Sequence, residues 1–173
     1  MAPLLRAALY GALLVALFVL AAGQLLAGFG VVTPSAWGLL QIAGFGATLS
    51  GSALALWCVL VFARFGRGTP IPIDPPRQLV VRGPYRVIRN PMAVGVGIAL
   101  AGVAAYYESS QFVVAVALFM LGIHAMVVFY EEPTLRRTFG REYVAYCERV
   151  NRWLPARRKT GAARSPDGTD VSV

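Results

Sequence analysis

Four apolar stretches, at residues 4–27, 37–62, 92–107 and 112–130, decide what this chain can become. Apart from Arg6 in the first and His124 in the fourth, none contains an acid, an arginine, a lysine or a histidine. A helix needs roughly 20 apolar residues to cross the hydrocarbon of a bilayer, and the first two stretches exceed that. The third carries Gly95, Gly97 and Gly102 and covers only about 24 Å at the helical rise of 1.5 Å per residue. Only Glu108, Ser109, Ser110 and Gln111 separate it from the fourth, which forces a tight helical hairpin. Composition agrees: 57% of the residues are hydrophobic and 14% charged, where a soluble domain has about 25% charged. The expected fold is an all-α integral membrane protein of about four transmembrane helices.

Charge orients it. Residues 63–91 carry Arg64, Arg67, Arg77, Arg82, Arg86 and Arg89 against the single acid Asp74, while the other two connections hold only Glu108. An excess of arginine marks the cytoplasmic side, so both termini are expected inside, in keeping with the basic stretch from Arg136 to Lys159. A bacterial inner (plasma) membrane is the expected location. The net charge of +8 is spread as punctuation between apolar segments, which argues for an anionic membrane surface and against nucleic acid. Arg6 followed by an apolar run and by Ala21, Ala22 and Gly23 resembles a signal peptide, but the run continues through Leu25, Leu26 and Phe29 and more spans follow. Cys58 in a span and Cys147 on the cytoplasmic side support no disulfide, and two lone cysteines make no zinc site.

Three parts are expected: residues 1–62 with two N-terminal helices, residues 63–155 with the loop, the hairpin and an amphipathic helix, and a disordered polar tail at 156–173. In the loop, Pro70, Pro72, Pro75 and Pro76 enforce an extended path. Gly83 and Pro84 mark a turn, and Pro91 suits the first position of the third helix. After the fourth span Pro133 would open a new helix. Leu135, Phe139, Tyr143, Tyr146, Val150 and Trp153 recur at helical spacing on one face, so this helix lies on the membrane or docks on the core. Gly140 weakens it and marks an expected kink.

Two blocks, RGPYRVIRNPM followed by GVG, and EEPTLRRTFGREYVAYCERVNRWLP, resemble the isoprenylcysteine carboxyl methyltransferase and phospholipid methyltransferase superfamily. The resemblance covers roughly residues 78–155. It carries Gly83, Pro84, Tyr85, Arg89, Asn90 and Pro91, then Glu131, Glu132, Leu135, Phe139, Gly140, Tyr143 and Tyr146. It implies a methyltransferase that uses S-adenosylmethionine, with Tyr85, Arg89, Asn90, Pro91, Gly95, Gly97, Glu131 and Glu132 around the cofactor. The implied acceptor is a lipophilic or small molecule among membrane lipids. Two departures stand out. Asn90 occupies the place of a histidine and does not titrate near neutrality, and Ala93 stands where a tyrosine often follows.

Arg89, Asn90 and His124 are the candidate catalytic residues, and no metal is implied. His124, the only histidine, precedes Glu131 by seven residues and so shares nearly the same helical face. An ionisable side chain within a span is a functional candidate by default. Each candidate also has a plainer reading. Small residues let membrane helices approach, paired acids at a helix exit serve solvation or the next helix, arginines set topology, and a histidine can simply pack. The conjunction favours chemistry, because the hairpin makes neighbours of residues 89–97 and the glutamate pair. A non-catalytic membrane assembly or binding subunit is the rival, supported by the two departures. A transporter is disfavoured by the lack of buried charge in the first two spans.

Overall fold

The computed structural model describes residues 28, 34, 36–65 and 78–155. The expected first span, the proline-rich stretch 70–76 and the tail 156–173 lie outside the described residues. The described chain forms helices α1 (Leu39–Phe65), α2 (Pro91–Tyr106), α3 (Ser110–Met126) and α4 (Glu132–Arg149). A 3₁₀ turn, Gly83–Arg86, precedes α2, and a π-helical turn, Val127–Glu131, joins α3 to α4. No strand occurs among the described residues.

Helices α1 and α2 run antiparallel along a seam of small residues. Gly44 and Gly51 of α1 face Gly102 and Gly95 of α2. A Cβ on Gly44 would stand 2.6 Å from the Gly102 carbonyl oxygen, and one on Gly95 would stand 2.8 Å from that of Gly51. Backbone therefore meets backbone, the arrangement by which helices associate where lipid removes the hydrophobic drive. The Thr48 hydroxyl donates to the Gly44 carbonyl at 2.9 Å and is 3.3 Å from that of Ala99 across the seam.

The far end of the pair is tied by the α2–α3 hairpin. Glu108 turns the chain at a φ of 50°, and the Ser109 side chain caps α3 by accepting from the Phe112 N–H. The Gln41 side-chain amide donates to the Glu108 carboxylate at 2.5 Å. Trp37, Tyr106 and Tyr107 stack edge to face there, as aromatic rings do at a membrane–water interface.

Helix α1 and the continuous helix Ser110–Arg149 are each long and apolar enough to cross a membrane, and α2 is a shorter apolar helix. Large apolar side chains stand exposed along α1 (Leu39, Ile42, Phe45, Leu49, Leu56) and along α3 (Val113, Val114, Leu118, Leu121), a surface suited to hydrocarbon.

The expectation that Pro133 starts a separate helix is corrected. The helix runs unbroken from α3 into α4 because the π turn absorbs the proline. Pro133 has no N–H for the Phe129 carbonyl and its ring crowds that group, while the wider turn re-pairs the backbone, with the Glu132 N–H on the Val127 carbonyl. Gly140 does kink α4, at φ 51° and ψ −123°. The predicted apolar face docks on the core: Tyr143, Tyr146 and Val150 are buried, with Leu79, Val81, Leu135 and Phe139 packed around them. Val150 and Trp153 lie beyond that helix, which ends at Arg149.

Candidate functional site

The site forms where four pieces of chain meet at the Pro91 end of α2. The loop before α2 arrives first. Val80 and Tyr85 are buried against Cys58 and Val61 of α1, and the Tyr146 hydroxyl donates to the Tyr85 carbonyl at 2.6 Å. Gly83 takes the left-handed φ of 56° needed to enter the 3₁₀ turn. Pro91 then opens α2 at its first turn, fully buried.

The segment after α4 returns across this loop. The Arg89 N–H donates to the Asn151 carbonyl at 2.9 Å, and the Asn90 N–H to that of Arg152 at 3.2 Å. Arg152 reaches on to Glu132, its Nε and Nη2 donating to Oε1 and Oε2 at 2.7 and 2.8 Å. That is the bidentate fork that guanidinium and carboxylate planes favour. Arg89 Nη1 lies 3.3 Å from the same Oε1 and also contacts the Cys147 sulfur. Arg89 Nε is buried and has no hydrogen-bond partner among the described residues.

The two glutamates lie just past the apolar stretch of α3 and differ sharply. The Arg152 hydrogen bonds, aided by Arg89 and opposed by burial, hold the Glu132 carboxyl below the usual carboxylate range. Burial, aided by the charge of Glu132, raises that of Glu131. Glu132 is buried with its oxygens engaged, whereas Glu131 is half-buried and makes no hydrogen bond or ion pair among the described residues.

The π turn re-aims this end of the helix. A π turn carries one residue more than the α-helix it replaces, so His124 aligns with Glu132 and not, as the seven-residue spacing predicts, with Glu131. The His124 ring stacks instead on Trp153, with centroids 5.7 Å apart and planes 32° from parallel. Trp153 Nε1 is buried without a hydrogen-bond partner among the described residues.

The sequence-predicted residues thus separate. Arg89, Asn90, Glu131, Glu132 and Pro91 gather at one place, and Tyr85 borders it, its phenol pushed well above the ordinary tyrosine range chiefly by burial. Gly95 lies in the α1–α2 seam, where a Cβ would also meet the Ala55 nitrogen at 2.9 Å, and Gly97 faces the Met120 side chain of α3. Sequence reasoning passed over Arg152, taken only as part of a basic stretch, and the place of Trp153. The signal available for both was their position in the NRWLP run that closes the second block.

Residues 39–142 match the family model for phospholipid methyltransferase, and the chain belongs to that family. This agrees with the superfamily that the two motif blocks resemble. No curated protein matches the chain. The matched region contains Arg89, Asn90 and both glutamates and stops before Arg152 and Trp153.

Proposed function

We propose that this chain is a membrane-spanning, S-adenosylmethionine-dependent methyltransferase acting on a lipophilic or small acceptor that enters from the bilayer. Family membership supports methyl transfer. The observation that carries the site is the meeting of opposite charges at one membrane-level place: Arg89 from the start of α2, and Glu131 and Glu132 from the end of the π turn.

The residues fit the cofactor chemically. The buried Nε–H of Arg89, which has no partner among the described residues, is a donor suited to a carboxylate, and the carboxylate of Glu131, without a hydrogen bond among those residues, is an acceptor suited to an ammonium or a ribose hydroxyl. Asn90, whose side chain makes no cap hydrogen bond, adds one amide able to donate and accept. When bound, S-adenosylmethionine supplies a methyl on a positive sulfur, so its transfer forms one bond to the acceptor atom and breaks the carbon–sulfur bond. The chain's part is then alignment, worth up to roughly 7–11 kcal/mol when the geometry is good. A carboxylate or thiolate acceptor needs no base. An amine acceptor must lose a proton, and His124 is the only histidine.

In this reading α1, α2 and α3 are three of four spans, with the Arg-rich loop and both termini cytoplasmic. A soluble cofactor arrives from that side and a lipid approaches laterally. Calorimetry on protein in lipid nanodiscs tests it, with S-adenosylmethionine and its demethylated product expected to bind wild type. A folded sample that binds neither would favour the non-catalytic assembly subunit. Mass spectrometry of lipid extracts from expressing cells then identifies the acceptor. If methylated product is found, His124→Ala should spare a carboxylate methyltransferase and cripple an amine one.

A further inference from the structure

Adjacent glutamates at the mouth of a site invite the same role, yet the geometry separates them. Both Glu132 oxygens are taken by the Arg152 fork, with Arg89 beside one of them. A ligand competing for Glu132 would have to displace a two-point, charge-assisted contact. Glu131 has no such partner among the described residues. Arg152 belongs to a short segment with no regular structure of its own, Val150 having left the helical conformation at φ −127° and ψ 123°. The burial of Val150 anchors its start, and beyond that residue the segment is held by the ion pair and by the two backbone hydrogen bonds from Arg89 and Asn90. Its next residue, Trp153, carries a buried indole N–H with no acceptor among the described residues and lies against His124.

We propose that Arg152 is a positioning residue of this site: by engaging Glu132 it straps residues 150–153 across Arg89 and Asn90, seats Trp153 against His124 as one wall of the ligand space, and leaves Glu131 as the carboxylate open to a ligand. This rests on the methyltransferase reading for the identity of the ligand, but the strap itself is tested without it. Arg152 contributes through what it holds in place, while Trp153 and Glu131 face the ligand.

The experiment uses full-length protein in nanodiscs with Trp37→Phe and Trp57→Phe, which leaves Trp153 as the only tryptophan. Arg152→Ala should shift Trp153 emission to the red before any ligand is added and weaken S-adenosylmethionine binding about tenfold. Arg152→Lys, which keeps charge but loses the fork, should fall between, and circular dichroism checks that helix content is retained. Glu131→Gln should weaken binding by at least as much with Trp153 emission unchanged. The strap is overturned if Arg152→Ala alters neither emission nor affinity, and the division of labour is overturned if Glu131→Gln binds like wild type. Absence of binding by the wild-type background, with the emission shift still present, would sink the proposed cofactor while supporting the strap.

Discussion

The α1–α2 seam and the Arg89–Glu132–Arg152 clamp fix α2 to two different neighbours, α1 and α4, by opposite means. In the seam, glycine lets backbone touch backbone, and among the described residues only Thr48 makes a side-chain hydrogen bond across it. At the clamp, three charged side chains drawn from a loop, a helix and an irregular segment meet within hydrogen-bonding reach. The first is therefore sensitive to volume and indifferent to protons. The second is sensitive to charge and has room, since Arg152 is partly exposed. A membrane protein can in this way keep a rigid frame beside a site whose parts remain free to rearrange.

The largest effect that breaks this contrast should come from Gly51→Leu. Its Cβ would stand 2.5 Å from the Gly95 carbonyl oxygen, where no flexible side chain can yield, so a loss of about 3 kcal/mol is expected, at the top of the usual range for over-packing. Thermal unfolding in detergent measures it, and the loss should not vary with pH. Glu132→Ala should cost less, about 2 kcal/mol, in the range for hydrogen bonds to charged groups, because Arg152 can turn to water. Unlike the seam variant, it should also redden Trp153 emission.

Of the seam and the clamp, only the clamp end should respond to protons, and its two carboxyls in opposite senses. The folded Glu132 carboxyl lies below its ordinary value of 4.5. Its contribution to stability is thus complete above that value and is lost as pH falls through the lower folded one. Glu131 is raised above 4.5, so its charged form is the disfavoured one and it takes up a proton first on acidification. Ligand binding should accordingly weaken at a higher pH than the one at which the strap lets go. Calorimetry and Trp153 emission, followed over one titration, would show two separate midpoints, and a single shared midpoint would erase the distinction between the glutamates.

The smallest effect should come from Gly97→Ala. The new methyl meets only the Met120 side chain, with Cε at 3.0 Å, and methionine repacks readily. The gain from replacing glycine in a helix offsets that contact, and stability should stay within about 0.5 kcal/mol of wild type. A large loss of S-adenosylmethionine affinity in this variant would restore Gly97 to the cofactor's surroundings.

Much of the frame was readable because it follows from local rules. Apolar length located α1, α2 and α3 to within a few residues, Pro91 opened α2 as its missing N–H allows, and Gly140 kinked α4. The motif blocks brought Arg89 and the glutamates into view. What escaped notice depends on non-local contact. The glycines of α1 gain meaning only when Gly95 and Gly102 are set opposite them. The π turn follows from an accommodation around Pro133 that no helical period contains, and it moved His124 from the Glu131 register to that of Glu132. Arg152 looked like any other arginine near a membrane until the chain folded back to place it on Glu132.

Burial of the clamp has a consequence for salt. Mobile ions weaken attractions between exposed charges at separations beyond roughly 8 Å at physiological ionic strength, and weaken shielded close pairs far less. With 8% of the Glu132 side chain and 11% of that of Arg89 accessible, added electrolyte reaches this pairing poorly. Arg136, Arg137 and Arg141 stand exposed on α4 and have no such shelter. Raising ionic strength should therefore weaken the outer arginines' attraction for any anionic surface well before it weakens the Arg89–Glu132 pair, with the Arg152–Glu132 fork, whose arginine side chain is 31% accessible, responding between the two.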